Sequence, residues 1–551
     1  HLAGGAAEVA RGKDLVLPVT LDGTRGPGLV TLAGGTLRWW APGSGRHSYL
    51  TVRPSGKSEA EQMRSNASGI STKLRVRAEG RWSNVAALDA HSGPGQSLAP
   101  MSVGLGGAPK ADYIALEWSD GVTQTEIDLL PGLHDIDEVQ RQLASCPVIF
   151  AWNGDEYGFV SDVLGVAGLG FFTRPGETAS PRPFERYLLR DDQLRAREGR
   201  YQLKLTEPME ENAYLDTVSI TVWDVPKDVQ LALDERMGTG TLPVTGRPLF
   251  WKHARVPVRA TDRLGKDILA DVTTADRRAA PPGPLDPRFL GLLAEPQVIT
   301  LEFDAPLPTD AVLLAEGWVE YGYSQTVFAA WQAGISYEPP TLEARGADGA
   351  WVTVAPGFGY PAGMPRQMAM PLDLPEDTVG LRLTSNMEIY WDDLRVVEET
   401  AAPSGATSRS LSPRVARVAR TGFAERVNGP QRVPHYDYRV RTPYWDTKSL
   451  RGFYSALGDV LPLVEEADGA LAIIGGGEEI HLEFDAPPPP EDGMRRHVVV
   501  EFNGWAKDMD LYTADGETVG PLPEPPALTR DAKAARDALH TRYNVRFQEG
   551  M

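Results

Sequence analysis

The string Leu301-Glu-Phe-Asp-Ala-Pro306 occurs a second time as Leu482-Glu-Phe-Asp-Ala-Pro487. Each copy alternates apolar and acidic residues with period two, so Leu and Phe turn toward a core while Glu and Asp turn toward water. Each is followed by a proline-rich turn and an apolar run leading to Gly-Trp, at Gly317-Trp318 and Gly504-Trp505. The same order at nearly equal spacing predicts two copies of one β-sandwich topology, with Phe303 and Phe484 on equivalent strands. A generic strand-exit phrase arising twice is the plainer alternative, and strand placement decides between them.

The segments around these strings are short and heavily punctuated. With 56 Gly and 45 Pro in 551 residues, long amphipathic helices are hard to find, and Ala527 to Ala538 is the best helical candidate. The expected fold is all-β and multidomain: several jelly-roll-like β-sandwich modules with few short helices, and helix well below the usual roughly 30–35%. A prior of roughly 100–200 residues per domain suggests three or four cores. Composition places boundaries around N-terminal strands at 1–45, a β domain at 46–145, a sandwich at 146–277, a sandwich at 288–399, a linker at 400–434, and a C-terminal sandwich with a terminal helix at 435–551. Arg278 to Pro287 (RAAPPGPLDP) reads as a linker or long loop.

The balance of 75 acidic to 55 basic residues, a formal charge of −20, argues against a nucleic-acid partner, because neutralising phosphates needs clustered Lys and Arg. The four arginines between Arg409 and Arg420 read as a solvated linker. Cys146 is the single cysteine and cannot form an intrachain disulfide; preceding Pro147 and an apolar run, it reads as a buried thiol rather than a nucleophile. No run of 18 or more apolar residues exists, so no transmembrane span is expected. A chain beginning at His1 reads as processed or truncated.

Cys146 to Gly170, CPVIFAWNGDEYGFVSDVLGVAGLG, reads as a buried strand, a tight turn at Asn153-Gly154-Asp155 and a resumed strand. Ahead of it stand His47-Ser-Tyr-Leu-Thr-Val-Arg53, Ala67-Ser-Gly-Ile-Ser-Thr-Lys-Leu-Arg-Val76, and Val103-Gly-Leu-Gly106 followed by Ile114-Ala-Leu-Glu-Trp-Ser-Asp-Gly121. Together these strings resemble the ASPIC/UnbV domain, and the segment after it, in bacterial relatives of the cartilage acidic protein family. The likeness continues more loosely through Tyr201 to Glu207, Tyr214-Leu-Asp216, Leu381 to Asp392 and Asn503 to Asp510. The resemblance implies an ASPIC/UnbV-like domain at 46–145 and an FG-GAP propeller ahead of it. Residues 1–45, with Asp14-Leu-Val-Leu and Leu29-Val-Thr-Leu, would then be a blade remnant, although the propeller's D-x-D-x-D-G calcium loop is absent. It also implies a C-terminal portion of a longer precursor and a secreted, periplasmic or cell-surface setting. It names no reaction.

Hard cations need several oxygens converging from one or two loops. Asp508, Asp510 and Asp515, in a D-x-D-x4-D-G array, and Asp155 and Asp162 near Asn153, are the candidate ligands, with calcium the candidate cofactor. The plainer reading is turns whose aspartates cap their own backbone. Sugar-binding sandwiches stack pyranose rings on aromatics with acids beside them. Tyr390-Trp391-Asp392-Asp393, Trp318 with Tyr321 and Tyr323, and Trp505 with Asn503 and Lys507 fit that recipe, against core packing as the plainer account. In the run ending at Asp392, Ile389 and Trp391 share one face and Tyr390 takes the other, so at most one of these sets is exposed. His1 as a copper-binding N-terminal histidine is the weakest candidate, having no matched second histidine.

No H-E-x-x-H, G-x-S-x-G or phosphate-loop motif is found, and no spaced Cys/His set. The expected function is that of a non-enzymatic binding or scaffold protein holding a glycan or protein partner. An accessory subunit of a membrane or redox complex is the runner-up. A hydrolase or metalloenzyme with a site built across domains is the third reading, one that convergent buried acids in a cleft would favour.

Overall fold

The computed structural model describes residues 13, 15–58, 65–88, 100–119, 123–138, 146–209, 211–240, 242–441, 449–523 and 528–550. The fold is all-β and multidomain, with 49% strand and 7% helix. Two compact units divide the chain: residues 1–140 with 443–447, and residues 141–442 with 448–551.

In the first unit, β1 (Leu15–Val19), β2 (Gly28–Ala33) and β3 (Thr36–Trp40) form an antiparallel sheet. A second sheet places β4 (Tyr49–Ser55) between β7 (Met101–Gly104) and β10 (Gly132–Asp137). A third runs β6 (Arg81–Ala86), β5 (Lys73–Ala78), β8 (Ala111–Glu117), β9 (Thr123–Leu129). In β5, Leu74 and Val76 alternate with Lys and Arg and join Leu50, Val52, Ile114 and Leu116 in one core, as period-two patterning requires. The strings likened to the ASPIC/UnbV domain bear on β4, β5, β7 and β8; Asp120 and Gly121 lie outside the described residues.

The second unit begins with β11 (Val148–Trp152), β12 (Tyr157–Asp162), the small hairpin β13 (Phe172–Arg174) and β14 (Glu177–Thr178), then β15 (Phe184–Leu189), β16 (Arg200–Thr206) and β17 (Glu211–Pro226). A ribbon of β18 (Gln230–Leu233) and β19 (Pro248–Trp251) leads to β20 (Ala254–Arg255), β21 (Arg259–Thr261), β22 (Leu292–Glu302) and β23 (Ala311–Val319). Helix α1 (Ser324–Gln332) precedes β24 (Thr341–Arg345), β25 (Trp351–Ala355), β26 (Arg366–Pro371), β27 (Gly380–Met387) and β28 (Ile389–Glu398). The remainder is β29 (Thr407–Leu411), β30 (Val415–Arg420), β31 (Ala424–Asn428), β32 (Pro434–Arg441), β33 (Gly452–Tyr454), β34 (Gly458–Asp459), β35 (Ala472–Ile474), β36 (Glu478–Asp485), β37 (Met494–Asp508), α2 (Arg530–Tyr543) and β38 (Arg546–Gln548).

These strands build two sandwiches. The contiguous one, made from β20 to β28, packs sheet β21-β22-β27-β24-β25 on sheet β20-β28-β23-β26. The other packs β30-β36-β16-β11-β12, extended by β34, on β29-β17-β37-β15. Every neighbour relation in the contiguous sandwich has its counterpart in the permuted one, which adds β34 beside β30 and β35 beside β17. The series β24, β25, β26, β27, β28, β20, β21, β22, β23 corresponds to β11, β12, β15, β16, β17, β29, β30, β36, β37. The second sandwich is therefore a circular permutant of the first, and the first is inserted between its β17 and β29.

The repeated hexapeptide lies at equivalent places, as expected. Leu301 on β22 pairs with Leu381, and Leu482 on β36 pairs with Leu203; all four side chains are fully buried. Phe303 and Phe484 enter the two cores, while Asp304 and Asp485 are exposed. Burial of one such side chain stabilises by about 1.5–3 kcal/mol.

Three sequence-based boundaries need correction. The separate sandwiches expected at 146–277 and 435–551 are halves of one, because β16 and β17 would be bare edges without β36 and β37. The 400–434 linker contains β29, β30 and β31, and Arg409 to Arg420 is part of both sheets of the permuted sandwich, with Arg414 paired to Asp485 at 2.7 Å. Arg278 to Pro287 is a loop inside the contiguous sandwich, with Ala279 and Ala280 buried. The terminal helix exists, but begins at Arg530 behind a Thr529 cap. No helix among the described residues is long and apolar enough to cross a membrane.

Candidate functional site: a cleft between the two sandwiches

Both sandwiches bend their central strand pair in the same way. Opposite Gly317 the partner strand β28 bulges at Asp392, and opposite Gly504 the partner strand β17 bulges at Asp216. A Cβ at Gly317 would sit 2.5 Å from the Tyr390 carbonyl oxygen, and one at Gly504 would sit 2.6 Å from that of Tyr214, so glycine is demanded in both. Each bulge turns an aspartate onto a loop amide: Asp392 Oδ2 accepts from Arg277 N, and Asp216 Oδ1 from Gly469 N, both at 2.9 Å. Arg277 and Gly469 both have positive φ, 67° and 79°. The loops themselves repeat, as Asp267-Ile-Leu-Ala-Asp-Val-Thr-Thr-Ala-Asp276 and Asp459-Val-Leu-Pro-Leu-Val-Glu-Glu-Ala-Asp468.

Beyond the bulges, the central strand pairs run on to a cleft of about 730 Å³. In the permuted sandwich the last register pair is Glu211 with Asp508. Continuing the contiguous sandwich's register by two residues past Val319 and Ile389 brings Tyr321 and Met387 to the same place. All four line the cleft. Its walls carry Tyr323, Trp331 and Tyr337 around α1, Phe171 from the strand-rich loop opposite, and Tyr360. Trp331 remains 45% exposed, so its ring is accessible from solvent. The two arginines of the lining have carboxylate partners: Arg174 with Glu177 at 2.6 Å, and Arg182 with Glu235.

Glu211 is 3% exposed, and its Oε2 has no hydrogen-bond partner. Burial pushes its carboxyl well above the usual range, and Asp508, Glu207 and Asp162 push in the same direction, which favours its protonated form. A hydrogen bond to Asp508 favours that protonated form. Cys146 is buried beside the cleft; burial, then Glu211, raises its thiol, which keeps it un-ionised and a poor nucleophile. Tyr321 Oη is enclosed without a partner, and burial raises its hydroxyl far above ordinary tyrosine values, so it stays a donor.

Behind the cleft, the sandwiches are tied by charge. Arg366 of the contiguous sandwich reaches Glu185 at 2.5 Å and Asp162 at 2.8 Å in the permuted one, all three nearly inaccessible. Asp162 Oδ1 also accepts from Met364 N at 2.8 Å.

The residues chosen from sequence fare unevenly. Asp508 is in the cleft. Asp510 is a turn cap, its Oδ1 accepting from Tyr512 N at 2.7 Å and its Oδ2 from Ser324 Oγ. Asp515 occupies a left-handed turn position, φ 54°. Asp155 is exposed at the β11–β12 turn, which Asn153 Oδ1 caps, and Asp162 is seven residues of largely extended chain away, about 20 Å, held by Arg366. Neither acid set converges, and no group of three His, Cys, Asp or Glu suited to a metal occurs among the described residues.

The expected stacking platforms are core. Trp505 is 6% exposed and packs with Tyr214, Tyr454 and Ile473. Lys507 is buried, donating to the Thr518 and Gly520 carbonyls, and burial lowers its pKa. Asn503 is half-buried and donates to Asp216 at 3.0 Å. Trp391 is 1% exposed in the contiguous core. Tyr390, on the opposite face as expected, stacks on Trp318 at 5.4 Å and is 6% exposed. None of these aromatics is presented to solvent, because they lie on the paired central strands and fill the layers beside them. His1 lies outside the described residues. Of the aromatics singled out, Tyr321 and Tyr323 do line the cleft; Glu211, Tyr337 and Trp331 were not singled out, although Glu211 stands three residues before Tyr214-Leu-Asp216.

No family model matches the chain, and no curated protein matches it. Among solved structures, one titled "Structure of infectious bursal disease virus Gx strain" aligns at 9% identity over 96% of this chain and 85% of that one; its TM-score of 0.08 carries no argument.

Proposed function

We propose that the second unit is a binding module that takes a small organic ligand of the saccharide class into the cleft between its two sandwiches. The observation that supports this is the cleft: about 730 Å³, inside the roughly 300–1,000 Å³ of small-molecule sites, with aromatic side chains and the buried carboxyl of Glu211 in its lining. This reading uses the aromatic-plus-acid recipe expected from sequence, with Trp505, Trp391 and Tyr390 given up, Tyr321 and Tyr323 retained, and Trp331 and Tyr337 added. A secreted, periplasmic or cell-surface setting rests on the ASPIC/UnbV-like strings alone.

A glycan array read with wild type and Trp331→Ala tests the proposal. Because Trp331 is exposed on α1, its removal leaves the melting temperature unchanged and weakens binding about tenfold, as loss of one stacked ring with its burial predicts. Binding that ignores Trp331→Ala, or no glycan bound at all, rejects the saccharide reading. Trp82→Ala, an exposed tryptophan of the first unit, is the control.

One observation favours hydrolysis as a second reading: Glu211 and Asp508 are hydrogen-bonded carboxyl groups in a cleft, an arrangement that separates acid and base roles. A hydrogen-bonded carboxyl pair is too close for glycoside cleavage and suits amide hydrolysis, so turnover of a bound peptide that Asp508→Asn abolishes, with binding retained, would move the protein to that class.

A further inference from the structure

We propose that the ligand of this cleft carries a protonated amine, which seats on the Glu211 carboxyl with its carbon framework against the aromatic side chains of the lining. This deepens the binding reading above and rests on the same cleft. Four observations carry it. Glu211 is 3% exposed in the lining of the cleft, and its enclosed Oε2 meets no hydrogen-bond donor. The groups acting most strongly on it are acids from three different elements: Asp508 on β37, Glu207 before β17 and Asp162 on β12. The cations of the lining are engaged elsewhere, Arg174 by Glu177 and Arg182 by Glu235, and Arg366 behind it by Asp162 and Glu185. Tyr321, Tyr323, Trp331 and Tyr337 line the cleft, and aromatic rings attract an ammonium group through their quadrupoles.

The contiguous sandwich supplies the contrast. At the places of Glu211 and Asp508 it has Met387 and Tyr321, an apolar and a phenolic side chain, so the acid pair is not demanded by the shared backbone. A buried carboxyl is costly unless something uses it. An ammonium ion seated on the Glu211 carboxyl favours its ionised form, so proton release to solvent accompanies binding; the carboxyl O–H is the one covalent bond that breaks. Cys146, Tyr321, Tyr337 and Tyr360, which also line the cleft, stay protonated throughout because burial raises all four.

Titration calorimetry at pH 6.5 tests this with two probe pairs: a glucosamine tetramer against its fully N-acetylated form, and phenethylamine against phenethyl alcohol. We expect each amine to bind about tenfold or more tightly than its neutral partner, with about one proton released, measured in two buffers of different ionisation enthalpy. Glu211→Gln, and Glu211→Met as the sister sandwich has it, abolish the preference and the proton release without lowering the melting temperature. If both tetramers fail but phenethylamine binds through Glu211, the saccharide reading falls and the amine site stands. Equal affinity within both pairs, a preference that survives both variants, or calcium binding that needs Glu211 and excludes the amines overturns the inference.

Discussion

The contiguous and the permuted sandwich differ least where the backbone makes demands and most where it makes none. Gly317 and Gly504 lie where any Cβ would strike a carbonyl oxygen, and Asp392 and Asp216 each hold a loop amide in place. Four register positions beyond the glycines, the same strands face the cleft, and there Met387 and Tyr321 stand against Glu211 and Asp508. Geometry preserves the bulge, whereas the strand ends are open to chemistry. The comparison also shows how one topology tolerates two chain connections: sheet pairing depends on which strands meet, and an exposed connection can be cut and rejoined elsewhere.

The largest test asks whether the sandwiches stand or fall together. Arg366→Met leaves Asp162 and Glu185 buried without their cation and should cost about 4 kcal/mol, as breaking buried ion pairs does. Denaturant titration should show one shifted transition for the whole unit; loss of only the contiguous sandwich, with the permuted one intact, would show them to be independent.

Gly317→Ala and Gly504→Ala should each cost about 3 kcal/mol and by similar amounts, since the intruding methyl meets backbone rather than a yielding side chain. If one sandwich accepts alanine without loss, the two bulges are not the same device.

Next comes pH. Burial raises Asp216 from the ordinary 3.8 to about 6, and Asp392 moves in the same direction for the same reason. Between those values the unfolded chain has already released the Asp216 proton while the folded chain retains it, so stability falls as pH rises from about 4 to 6 and stays lower above. Asp216→Asn removes that titration and should gain about 2 kcal/mol at pH 8, after allowance for solvent, and nothing at pH 4. A gain independent of pH, read from melts across that range, would falsify the assignment. The smallest effect is at Arg277, a non-glycine residue with φ 67° where the sister loop has Gly469. Arg277→Gly should stabilise by about 1 kcal/mol through relief of the left-handed conformation, and a loss would mean that the arginine side chain matters more than the backbone.

Much of this was legible in the chain. Period-two runs broken by Gly and Pro indicated strands, and the repeated hexapeptide with its following Gly-Trp indicated a duplicated sandwich, because local alternation and the steric demand for glycine act within a few residues. The second repeat, Asp267 to Asp276 against Asp459 to Asp468, was equally present in the letters but offset differently from the hexapeptide, so it did not announce itself. The Trp and Tyr beside acids were read as surface platforms, whereas Trp505, Trp391 and Tyr390 are interior; alternation separates the two faces of a strand but does not say which faces are covered.

By itself, then, the sequence determined the all-β class, the two matched strand sets and the burial of Leu301, Leu482, Phe303 and Phe484, since these follow from side-chain period and size. Only the tertiary structure decided that β11 to β17 close with β29 to β37 around an inserted sister, because pairing between strands more than about 180 positions apart leaves no local signal. It alone placed Glu211 opposite Asp508 and set both before the aromatic wall. A carboxyl acquires its altered proton affinity from what surrounds it in space, and that neighbourhood is assembled from segments the chain keeps far apart.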